Sequence, residues 1–176
     1  MRTKLLVLAL AMTAGACATS DRETPPPPPP PPAASAFDAA AFEWSRAPGV
    51  AAIRGTVGYR GAAGAYSCKG AVVALTPDTP YSRRRIQRLY GSPERAAVPV
   101  SVVRSRQSSA PSDAFSKFVR TTRCDGSGNF GFDKLPAGAW FVIVAVKPAS
   151  GEGESVALLR RVQTGRSPQV RSVVLQ

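Results

Sequence analysis

The chain predicts an all-β fold, an antiparallel β-sandwich of about seven strands with one short inserted helix. Three observations point there. The stretch Phe115–Val146 alternates apolar and polar residues and ends in a dense run of β-branched and aromatic side chains, Trp140–Val146. Two clusters rich in glycine, proline and Asx residues, at 125–129 and 135–138, interrupt it where a chain of strands would reverse. Further short β-prone runs flank this stretch on both sides, separated by glycine and proline.

Thr79-Pro80 supplies an N-cap and a proline suited to a first helical position. Gly91 sits where a left-handed residue would end a helix. Pro80–Tyr90 is therefore expected to be a short basic amphipathic helix at a rim of the sandwich. Tyr81, Ile86, Leu89 and Tyr90 share its broad apolar face, and Arg83, Arg84 and Arg88 point elsewhere. Val98–Arg104 alternates enough for a strand, and Gln107–Ala114 is a Ser- and Pro-rich loop. Phe118–Thr121 is extended, with Phe118 and Arg120 on one side and Val119 and Thr121 on the other. The chain reverses at Asp125-Gly126-Ser127-Gly128-Asn129, resumes at Phe130 and Phe132, and reverses again at Leu135-Pro136-Ala137-Gly138. Read locally, these pieces form a meander of adjacent antiparallel strands. Trp140–Val146 is apolar enough to be covered on both faces. After a turn at 151–155, Val156–Val162 and Val170–Leu175 close the fold.

Residues Asp125, Gly128, Phe130, Phe132, Leu135, Pro136 and Gly138, with Trp140 at the aromatic position, match the pattern D-x-x-G-x-F-x-F followed by L-P-x-G-x-Y. In this the chain resembles the carboxypeptidase regulatory-like domain, an Ig-like, transthyretin-like (prealbumin-like) β-sandwich. By the same resemblance Ile53–Val57 looks like that family's first strand and Ala71–Leu75 like its second. The resemblance runs from about residue 50 to 146, and the insertion between the second strand and residue 115 is longer than that family's usual loop. It implies a fold and is nearly silent on function, since one fold hosts many activities. In the peptidases that name the family this domain is an accessory without zinc ligands. Gly126–Gly131 also satisfies G-x-G-x-x-G, but a dinucleotide site needs a helix opening at those glycines. Here a Phe-Gly-Phe alternation follows, which is β.

Ahead of the sandwich, residues 1–16 read basic, apolar, then small, the order of a secretory signal, with an apolar run too short to span a bilayer. Ala14-Gly15-Ala16-Cys17 resembles a bacterial lipobox, with Ala14 where leucine is usual. The resemblance implies acylation (palmitate) at Cys17, and Ala18 after it implies outer-membrane sorting. The alternative is ordinary cleavage nearby with Cys17 incidental. Several acyl chains on one residue would anchor firmly. Residues 17–47 then form a linker in which Pro25–Pro32 would extend roughly 25 Å as polyproline II. It is read as a spacer rather than a ligand for a proline-recognising domain. Phe37–Trp44 forms one or two helical turns, with Phe37, Ala41 and Trp44 on a face that docks on the sandwich. The domain proper spans 48–176.

The formal charge is +12, and two of those charges, Arg2 and Lys4, belong to the signal segment. Most of the remainder is arginine, which suits bidentate contact with phosphate or carboxylate. For an exported chain the polyanions within reach are lipopolysaccharide, anionic lipid and cell-wall polymer, not nucleic acid. Cys68 and Cys124 each border a strand and suggest a disulfide in an oxidising compartment. The chain has no histidine. That removes Ser-His and Cys-His nucleophile pairs and every histidine-based zinc site. The carboxylates Asp78, Glu94, Asp113, Asp125 and Asp133 all sit in turns flanked by Pro, Gly or Ser, where structural roles suffice.

The expectation is a non-catalytic outer-membrane lipoprotein, lipid-anchored at Cys17 on the periplasmic face, with no cofactor or metal. It would contact an anionic envelope component through Arg83, Arg84, Arg85 and Arg88. The alternative is a protein-interaction subunit of an envelope complex, working through strand edges or Phe37–Trp44.

Overall fold

A computed structural model of the chain describes residues 36–108 and 113–176. The signal segment, Cys17 and the proline run lie outside the described residues, as does part of the Ser- and Pro-rich loop.

A 3₁₀ segment, Ala40–Arg46, precedes strand β1 (Ala51–Val57), the short hairpin β2 (Arg60–Gly61) and β3 (Gly64–Ser67), and β4 (Val72–Pro77). Helix α1 (Pro80–Tyr90) leads into β5 (Arg95–Pro99), α2 (Val100–Ser105) and the single turn α3 (Asp113–Ser116). Then come β6 (Arg120–Arg123), β7 (Asn129–Leu135), β8 (Gly138–Pro148), β9 (Val156–Thr164) and β10 (Gln169–Leu175). The all-β sandwich expected from the sequence is present, with ten strands among the described residues. The smaller sheet has the order β10-β1-β7. The larger runs β6-β4-β8-β9-β5, with β2 and β3 extending it beside the end of β8. One pairing departs from the antiparallel expectation: β10 lies parallel to β1, Ala51 opposite Gln169 through Val57 opposite Leu175.

The meander does not form. β6 pairs with β4, β7 pairs with β1 in the other sheet, and β8 lies between β4 and β9. Both reversals therefore carry the chain between sheets rather than between neighbours. A turn sequence sets local backbone angles and leaves pairing open. Here the crossing lets Phe130, Phe132 and Leu135 of β7 face Trp140, Val142 and Val144 of β8 across the interior, where all six are buried. The first crossing is fastened by Asp125. Its carboxylate accepts from the backbone N–H of Ser127 and Asn129, both at 2.8 Å, and Gly128 adopts φ 85°. Those backbone donors, Asn129 foremost, hold the Asp125 carboxyl below its ordinary range. Gly55 of β1 is required where Phe130 crosses it, since a Cβ there would stand 2.0 Å from the ring.

β8 has two buried faces. Trp140, Val142, Val144 and Val146 fill the sandwich, and the Trp140 indole N–H donates to the Thr164 hydroxyl at 3.1 Å. On the opposite face Phe141 is fully buried and, with Leu159 and Ile143, packs against Ile86 and Tyr90 of α1. α1 spans the residues expected, with Thr79 and Ser82 closing a reciprocal capping box and Gly91 left-handed at φ 79°. It lies over the outer face of the large sheet and not at a rim. That face is apolar, and a helix is the element that can cover it.

Two boundaries shift. The expected strand 98–104 ends at Pro99, which has no N–H to extend the ladder, and Val100–Ser105 turns helical. A Val-x-Val-Val run fits either period, so periodicity alone could not separate the two. The expected strand 118–121 begins instead at Arg120, because Phe118 is drawn into a second core with Phe42 and Phe115. Phe37, Ala41 and Tyr81 pack around that core. The 3₁₀ segment is thus part of the folded body. Phe42, not Ala41, is its buried anchor, and Trp44 stacks edge-on against Trp140 at 4.9 Å.

The chain between β3 and β4 makes a short excursion that brings buried Cys68 to buried Cys124, with Cα atoms 5.7 Å apart, within disulfide reach. We predict that reduction, or the double substitution Cys68→Ala/Cys124→Ala, lowers the unfolding free energy by about 4 kcal/mol, the chain-entropy value for a closed loop of this size. Urea titration with and without dithiothreitol reads it, and coincident midpoints would contradict it.

Candidate functional site

The surface around α1 is built on one nearly buried carboxylate. Asp78, 4% exposed in its side chain, accepts from Arg83 through Nε at 3.1 Å and through a second guanidinium nitrogen, and from Arg161 Nε of β9 at 2.6 Å. Glu94 reaches the same two arginines, 3.4 Å from Arg83 and 3.8 Å from Arg161. Two cations and two anions close on each other and tie the start of α1 to β9. Ser82 adds a buried hydrogen bond, its hydroxyl donating to the Pro77 carbonyl at 2.6 Å. Of the four arginines proposed to meet an anion, Arg83 is therefore held by carboxylates of its own chain.

Arg84 and Arg88, four residues apart, project from the exposed side of α1 and have no carboxylate partner among the described residues. With Tyr81 and Arg85 they line a shallow depression of about 110 Å³. The Tyr81 ring is itself fixed by Phe37 and Phe115, at centroid distances of 5.6 and 5.5 Å. Arg85 also lines the other flank of the helix. There Ile86, Leu89, Tyr90, Val103 and Ile143 bound a mostly apolar cavity of about 200 Å³. Burial raises the Tyr90 phenol above its ordinary range, and the Arg85 guanidinium opposes the rise.

A second cationic surface was not among the sequence expectations. β9 and β10 belong to different sheets, and the slot between them, about 440 Å³, is lined by Arg160 and Arg171. Neither has a carboxylate partner among the described residues. The only available signal was a parity clash, arginine at positions that alternate in step with the buried Leu158 and Val173. The turn carboxylates keep structural partners: Asp133 pairs with Arg54 at 2.6 Å and Asp125 holds its crossing. Among the described residues, no cluster of three or more Cys, Asp or Glu is placed to hold a metal.

Neither a family profile nor a curated protein matches the chain. Among solved structures it is similar to the crystal structure of a putative carbohydrate binding protein from Pseudomonas aeruginosa. The two are 19% identical over 79% of this chain and 96% of that one, with a TM-score of 0.60. What the two share is the fold. The likeness bears on the sandwich as a whole, and the narrower kinship with carboxypeptidase regulatory-like domains stays a resemblance of residues 50–146.

Asp78→Asn should leave two guanidinium groups without their buried counter-charge. Because Arg83 is 41% exposed, the loss is discounted to about 2 kcal/mol, below the full cost of breaking a buried pair. Denaturant unfolding measures the loss. A variant as stable as the parent would show that the network does not hold α1.

Proposed function

We propose that the protein is a non-catalytic binding module of the bacterial envelope, anchored through acylated Cys17 at the periplasmic face of the outer membrane and carried on its proline-rich linker. Its ligand is an anionic envelope polymer, lipopolysaccharide or cell wall, met by the exposed face of α1. The observation that carries this reading is the pair Arg84 and Arg88, directed outward beside Tyr81 on a helix locked to the sheet and without carboxylate partners among the described residues. Phosphate and carboxylate groups spaced along a polymer suit such a row, since each guanidinium can take an oxyanion bidentately. Arg83 contributes to posture rather than contact. The Pseudomonas aeruginosa protein of the same fold carries the name of a putative carbohydrate binding protein and not of an enzyme, which fits a glycan-binding role here.

The alternative, a subunit of an envelope protein complex, draws on a different surface. Val50, Val170 and Val174 are at least half exposed, and β10 pairs with a neighbour on one side only. The Phe37–Trp44 segment lends this alternative little, because Phe42 is buried in the domain itself and Trp44 packs on Trp140.

Pull-down on purified lipopolysaccharide and on peptidoglycan, across a sodium chloride series, separates the two readings. The anionic-polymer reading expects binding that falls as salt rises and weakens about tenfold in Arg84→Ala/Arg88→Ala. Binding that ignores both salt and the substitutions would overturn it.

A further inference from the structure

The slot between β9 and β10 has the make-up of a ligand site in its own right. Four consecutive residues of β10, Arg171–Val174, line it, as does the run of β9 from Arg160 onward. Consecutive residues mark strand edges, since a strand face would contribute every second one. β10 is bonded to β1 on its other side, and the bonding of β9 toward β5 ends where the Arg161 N–H donates to the Glu94 carbonyl at 2.8 Å, so β10 and the part of β9 beyond Arg161 present open edges to the slot. By strand parity Arg160 and Arg171 sit on the inner faces of their sheets, in step with Leu158 and Val173, at the margin where the two layers part.

A second observation is independent of the cavity. Arg95 of β5 stands directly opposite Arg160 in the antiparallel ladder, so both side chains share one face of the sheet. Like charges directly opposite each other destabilise a strand pair. Arg95, Arg160 and Arg171 all lack a carboxylate partner among the described residues, whereas Arg161 beside them is held by Asp78. Among the described residues no carboxylate pairs with these arginines to relieve the repulsion, and a bound oxyanion would.

We propose that the slot is an oxyanion site for a small hydroxylated acid, in which a carboxylate or phosphate group is gripped by Arg160 and Arg171 and relieves Arg95. The hydroxyl-bearing remainder would meet Gln163, Ser172 and the open backbone edge of β10. Among the described residues no aromatic ring lines the slot, so the ligand is not one recognised by stacking. The site does not depend on the α1 face, because it uses neither Arg84 nor Arg88.

The test is thermal unfolding of the full chain at constant ionic strength in chloride, with inorganic phosphate, glucuronate, glucose 1-phosphate or neutral glucose added. The acids should raise Tm by about 4 °C at tenfold excess over their dissociation constant, and glucose should not. Comparison of glucuronate with glucose 1-phosphate tells a carboxylate ligand from a phosphate one. In Arg160→Gln/Arg171→Gln the apparent affinity should fall at least tenfold. Arg60→Gln/Arg104→Gln, which removes the same charge from exposed positions elsewhere, should retain it. In ligand-free chloride buffer Arg95→Gln should be as stable as the parent or more so, a readout that does not require the double variant to fold. Equal stabilisation by neutral glucose, an unchanged response in the Arg160/Arg171 variant, or a destabilised Arg95→Gln would overturn the proposal.

Discussion

A strand covered on both sides organises this molecule. In a two-layer sandwich the outer face of each sheet is ordinarily wet, and half of each strand can be polar. β8 breaks that economy. Trp140, Val142 and Val144 face the second sheet, and Phe141 turns the other way and is still fully buried. Removing a side chain of that size from water stabilises by roughly 1.5–3 kcal/mol, and an uncovered Phe141 would forfeit most of it. The chain answers with an insertion between β4 and β5 whose helix lays Ile86 and Tyr90 against the sheet. The second aromatic core, built on Phe42, Phe115 and Phe118, packs against Tyr81 at the start of the same helix. Once α1 is fixed by its apolar side, its exposed arginines have one direction left to point.

The arginines, which composition presents as one basic population, divide by partner. Arg83 and Arg161 close on Asp78, although Arg161 is 83 residues distant in sequence from that carboxylate. Arg120 donates to the Ser45 carbonyl at 2.7 Å and lies over the Trp140 ring, and burial lowers its affinity for the proton. Arg54 spans Gly131 to reach Asp133. Such cations are structural. Arg84 and Arg88 on α1 and Arg160 and Arg171 in the β9–β10 slot have no carboxylate partner among the described residues, and this distinguishes a surface able to receive a ligand from one already satisfied. The two places are separate, so the face of α1 and the slot can each receive an oxyanion independently of the other.

Much of this could be read from residue order wherever the deciding interaction is local. The capping pattern at Thr79 and Gly91 delimits α1 to the residue, because caps are satisfied within a few positions. The two Gly- and Pro-rich reversals were legible for the same reason. Strand partners were not. Whether β7 pairs with β8 or crosses to β1 depends on which arrangement buries both alternating sets of side chains, a property of the whole core. Phe118 shows this at one residue, for its alternation fits a strand and its burial belongs to a cluster completed by Phe42, far earlier in the chain. The slot arginines stayed hidden because positions 160 and 171 look like solvent-facing strand residues until the parity of each ladder is known.

The central claim, that the outer face of β8 holds α1 and so aims the cationic surface, is tested most directly by a double-mutant cycle on Ile86→Ala and Phe141→Ala in urea unfolding. The account predicts that the two losses are coupled by about 1 kcal/mol, since each side chain buries part of the other. Losses that add within about 0.3 kcal/mol would mean the helix is held by something other than that face.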